Sequence, residues 1–83
     1  MTIEVFYVKI NSMKANTFSE TNLKRIRLIY GCSQRELAEM SGVSLRSIQM
    51  YEQRNKDINK AQAESLYCLA KALGCTMEDL LED

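Results

Sequence analysis

Gln34-Arg-Glu-Leu-Ala-Glu-Met-Ser-Gly-Val-Ser-Leu-Arg-Ser-Ile-Gln-Met-Tyr-Glu-Gln53 is the stretch on which the fold turns. Leu37, Ala38 and Met40 precede Gly42 within about two helical turns, after which Ser44 can cap a second short helix bearing Ile48 and Tyr51 on its inner side. Two helices crossing around one glycine need a small residue in the second turn of the first. They also need a turn residue tolerant of positive φ, and apolar residues on the facing sides. Counting Gln34 as the first position, Ala38 is fifth, Gly42 ninth, Val43 tenth, Ile48 fifteenth and Tyr51 eighteenth. Each constrained position holds a suitable residue, and independent requirements met at fixed spacing are far more specific than a lone glycine or a basic run.

Working outward, Ser33-Gln-Arg-Glu36 fits a capping box, which starts the first of these helices after Ser33. Upstream, Leu23, Ile26 and Tyr30 are spaced by three and four, which predicts a helix from about Ser19 or Glu20 to Tyr30, stopped by Gly31. Downstream, Asn59 is the expected cap of a fourth helix with an Ala63, Leu66, Tyr67, Ala70 and Leu73 stripe ending at Gly74. Thr76-Met-Glu-Asp79 starts a fifth, very short helix with Leu80 and Leu81. The expected architecture is all-α, a five-helix domain over residues 17–83. Residues 1–16 read as an N-terminal extension, strand-like or flexible. Ile3-Glu-Val-Phe-Tyr-Val-Lys-Ile10 is rich in β-branched and aromatic residues, and a strand there must pair with a second copy or with another protein. Met13 is an alternative start.

A chain of 83 residues has room for one domain and for no deep cleft. Hydrophobic residues make up 46% but are dispersed among 27% charged ones, so no run approaches the ~20 apolar residues of a membrane span. No basic segment or cleavage site marks a signal peptide, and the expected location is the cytoplasm. Cys32, Cys68 and Cys75 lack metal-ligand spacing, and the chain has no histidine, so no metal and no cofactor is expected. Cys32 and Cys75 each follow a glycine and precede a cap, where a small apolar side chain packs. Net charge is zero, but its distribution is not even. Lys24 to Lys60 holds eight basic residues against four acidic, a balance of +4, whereas Ala61 to Asp83 holds one against five, a balance of −4. Such segregation lets one face meet phosphate while the other stays solvated.

The residues Gly31-Cys-Ser-Gln-Arg-Glu-Leu-Ala-Glu-Met-Ser-Gly-Val-Ser44, with Ile48 and Tyr51-Glu52, closely resemble the phage-repressor/Cro-like, or XRE, family of helix-turn-helix proteins from Leu23 to about Leu81. The resemblance implies a dimer whose third helices, about residues 45–53, enter successive major grooves of double-stranded DNA. It implies that Gln34 meets a backbone phosphate, that Leu45, Arg46 and Met50 approach bases, and that Arg27 and Glu52 bridge the first and third helices. Where the family usually has a glycine after that glutamate, and often a proline before the fourth helix, this chain has Glu52-Gln-Arg-Asn-Lys-Asp-Ile-Asn59.

Helical geometry agrees on orientation: with Ile48 and Tyr51 inward, Leu45, Arg46, Gln49, Met50 and Gln53 face outward. Arg46 can donate two bonds to guanine, Gln49 can pair with adenine, and Leu45 or Met50 can touch a thymine methyl. Ser44, at the helix start, joins this set, and Arg54, Asn55, Lys56 and Lys60 are candidates for phosphate. The expected function is a sequence-specific transcriptional regulator, a repressor acting as a homodimer. The alternative is an interaction module, such as an antitoxin, that holds a protein partner through the N-terminal strand or the fourth helix and regulates its own synthesis. An enzyme is disfavoured, since without histidine, paired carboxylates in a pocket or a phosphate-cradling glycine loop no catalytic constellation can be named.

Overall fold

The structure is a computed structural model that describes residues 20–83, so the N-terminal extension and its expected strand lie outside the described residues. Those residues form five α-helices: α1 (Asn22–Tyr30), α2 (Gln34–Ser41), α3 (Leu45–Glu52), α4 (Ala63–Leu73) and α5 (Met77–Leu80). A 3-10 turn, Ile58–Lys60, lies between α3 and α4.

The helix starts follow side-chain chemistry. At α2 the Ser33 hydroxyl accepts from the Glu36 amide at 3.0 Å while the Glu36 carboxylate accepts from the Ser33 amide at 2.8 Å. Thr76 and Asp79 form the same reciprocal pair at α5, and the Ser44 hydroxyl accepts from the Ser47 amide at α3. These bonds satisfy backbone donors that have no partner inside the helix. Two starts differ from expectation. α1 begins at Asn22, later than the expected start at about Ser19 or Glu20, with the buried Thr21 as its cap, accepting from the Lys24 amide at 3.1 Å. Asn59 does not cap α4, because Asp57 winds the intervening residues into the 3-10 turn, and the α4 cap position falls to Gln62, which makes no side-chain capping bond. Asn59 instead grips the C-terminal segment, donating to the Glu82 carbonyl at 2.7 Å and accepting from its amide at 2.8 Å.

Each helix contributes one fully buried side chain to the core: Leu23, Leu37, Ile48, Leu69 and Leu80. Tyr51, Ile58, Leu66, Ala70, Leu73 and Cys32 close around them. α2 packs against both α3 and α4, and α5 joins α4 to α1. Tyr30, expected on one face of α1 with Leu23 and Ile26, is 54% exposed, and the buried side chains at that end are those of Arg27 and Cys32. Cys32 is buried, and desolvation raises its thiol pKa against the opposing pull of Arg27. Burial likewise pushes the Cys75 thiol up to about 11, helped by Asp79. Both therefore stay neutral and pack as small apolar groups. Among the described residues no helix is long and apolar enough to cross a membrane.

Candidate nucleic-acid interface

α3 is held by its inner face and open on the other. Ile48 and Tyr51 are buried, Arg46 and Gln53 are exposed, and Leu45, Gln49 and Met50 are half-buried. The spacing of 45, 46, 49, 50 and 53 puts these side chains on one helix face. Ser44 sits at the head of this face, with its hydroxyl engaged in the cap and in a 3.0 Å bond to the Ser47 hydroxyl. The turn before α3 depends on Gly42, whose φ of +80 ends α2 with its amide on the Ala38 carbonyl.

The segment after α3 closes without a glycine. Arg54 itself adopts the left-handed conformation, φ +64, and the Asn55 and Lys56 amides both donate to the Met50 carbonyl, at 2.8 and 3.1 Å. Arg54 pairs with Glu82 at 3.2 Å, the Asn55 side-chain amide donates to the Gln53 side chain, and the Lys56 ammonium lies over the Tyr51 ring at 5.6 Å from its centre. Lys56 and Lys60 flank an open cleft of about 470 Å³ between α3 and the start of α4, where Ser47, Tyr51, Gln62 and Ser65 also contribute. Asp57, the acid in this cleft, has a carboxylate oxygen engaged by the Asn59 amide.

Behind α3, Arg27 and Glu52 meet in a bidentate pair, Nε to Oε2 at 2.7 Å and Nη2 to Oε1 at 3.0 Å, with side chains only 8% and 3% exposed. The remaining Arg27 nitrogen, Nη1, donates to the Cys32 carbonyl at 2.9 Å. Gln34, the first residue of α2, donates from Nε2 to Glu52 Oε1 at 2.9 Å. The hydrogen bonds to Glu52 raise the Arg27 pKa further above its ordinary value, outweighing the opposing cost of burial, so the guanidinium remains charged.

Sequence reading did not anticipate the Ser47, Gln62 and Ser65 lining of the cleft, nor the part played by Glu82. The Glu82 carboxylate accepts from the Asn22 amide at 2.6 Å as well as from Arg54, joining the C-terminal segment to the start of α1 and to the loop after α3. Contacts across 60 and 28 residues leave no local pattern to read.

A family model described as helix-turn-helix matches residues 23–80, which takes in all five helices from Leu23 onward. No curated protein and no solved structure matches the chain.

Proposed function

The chain belongs to the phage-repressor/Cro-like helix-turn-helix family of DNA-binding proteins, and from that premise we propose that it is a sequence-specific transcriptional regulator that inserts α3 into the major groove as a homodimer. The observation that carries this reading is the two-sided character of α3: Ile48 and Tyr51 anchor it while Arg46, Gln49, Met50 and Leu45 share the open face. Arg46 offers a planar fork matched to guanine O6 and N7, Gln49 an amide matched to adenine, and Leu45 and Met50 apolar contact for a thymine methyl.

Phosphates hold the register of that helix. Gln34 and Ser44 lie at the starts of α2 and α3, and Arg54, Asn55 and Lys56 follow α3. The cleft between Lys56 and Lys60 is wide enough for one backbone phosphate, with the Ser47, Tyr51 and Ser65 hydroxyls as further donors. With few polar groups facing the bases, part of the sequence preference comes from DNA shape. A bound dimer excludes other proteins from its site, which is the action of a repressor.

Selection of bound duplexes from a random pool tests the proposal. The expected product is an inverted pair of half-sites about 10 base pairs apart, centre to centre. A single half-site would contradict the dimer, and no enrichment at all would favour the partner-protein reading.

A further inference from the structure

Glu52 is the hub of three donors. Its carboxylate takes both Arg27 bonds and the Gln34 amide, and it lies 3% exposed at the end of α3. Arg27 alone neutralises the charge, so Gln34 is not needed for ion pairing. What the third bond does is orient Gln34. Both oxygens of a carboxylate ion-paired with Arg27 act as acceptors, so an amide in contact with it must present N–H and turn its carbonyl away. The flip that leaves many surface amides ambiguous is therefore closed to this one. Gln34 has no other side-chain partner among the described residues and is only half-buried, so its second N–H stays available at the start of α2. Arg27, itself a residue of α1, also donates to the Cys32 carbonyl, so the hub ties the start of α2 and the end of α3 to α1.

We propose that Glu52 is a positioning residue for DNA binding: by accepting one N–H of Gln34 it fixes that amide, and so directs the other N–H toward a backbone phosphate. This rests on the DNA-binding reading of α2 and α3. The carboxylate itself touches no DNA. It acts by removing the rotational freedom that Gln34 would otherwise lose on binding, a cost that preorganisation avoids.

Removing Glu52 alone strands the buried Arg27 charge, so the test uses Arg27→Met with Glu52→Leu, an apolar replacement of both partners. Binding to a mixed-sequence duplex of about 30 base pairs at low salt is measured with and without Gln34→Ala, with helix content checked by circular dichroism. In the native background Gln34→Ala is expected to weaken binding about ten-fold, the loss of one charge-assisted bond, and in the doubly substituted background by less than about two-fold. Equal losses in the two backgrounds overturn the positioning role and leave DNA binding intact, whereas a native protein that binds no duplex overturns both. Should the double replacement fail to fold, the native protein decides. In the free protein the Gln34 side-chain amide proton held by Glu52 should lie downfield of an ordinary glutamine amide and exchange slowly with solvent, and its geminal partner should shift when duplex is added. A pair that exchanges as freely as a surface glutamine, or one indifferent to duplex, contradicts the proposal.

Discussion

Arg27 and Glu52 carry opposite full charges into a small core, and what makes this tolerable is that nearly every polar atom between them is satisfied. Three of the Arg27 nitrogens have acceptors, at Glu52 and Cys32, and both Glu52 oxygens have donors. Truncating one partner leaves a buried charge uncompensated, so Glu52→Ala should cost about 3 to 5 kcal/mol. The measurement is the denaturant midpoint, and a midpoint unchanged from the native protein would mean that the pair contributes nothing. Arg54 is the other residue of unusual demand. Its φ of +64 is a conformation that side chains with a Cβ adopt at a cost, and it is kept by the two amides closing on Met50 and by the pairing with Glu82. Nothing in the neighbouring residues hints at this, because an arginine does not signal left-handed backbone as a glycine does.

At the scale of helices and turns, what is legible is what is local. Ser33 with Glu36, and Thr76 with Asp79, each sit three residues apart, and both capping boxes form. Gly31, Gly42 and Gly74 end their helices in the left-handed region. Asn59 reads as a cap only until its actual partner, Glu82, is seen 23 residues away, and Tyr30 reads as inward because a three-four spacing cannot tell that the buried side chain at this end of α1 is Arg27. The outward face of α3 is legible from Ile48 and Tyr51, whereas the cleft at Lys56 and Lys60 depends on the 3-10 turn, which has no simple periodic signal. Gly42 provides a test at this scale. A Cβ placed there meets nothing within 4 Å, so Gly42→Ala carries backbone strain alone and no clash. It should lower stability by about 1 kcal/mol, and Gly42→Asn by less, because asparagine tolerates positive φ. Equal thermal midpoints for all three proteins would show that the turn relaxes away from this geometry.

For the whole molecule, the division of charge matters more than its sum. The segment from Lys24 to Lys60 holds the +4 balance and most of the candidate interface, to which the −4 segment, forming α4, α5 and the C-terminal residues, adds Gln62 and Ser65. An apolar stretch, Ile3 to Ile10, lies outside the described residues; a chain starting at Met13 should keep its helical circular dichroism while self-associating more weakly in sedimentation, and an unchanged dimer would remove that stretch from the interface. The central claim, that α3 reads bases while the loop after it holds phosphate, is tested most directly by titrating Arg46→Ala and Lys56→Ala against a selected operator and a scrambled duplex over a range of salt. Arg46→Ala should cost about 1 to 3 kcal/mol on the operator and relax preference at one base pair, leaving the scrambled duplex little affected. Lys56→Ala should weaken both duplexes alike and lower the salt slope by about one unit. If Arg46→Ala instead weakened operator and scrambled duplex equally, α3 would not be the helix that reads the groove.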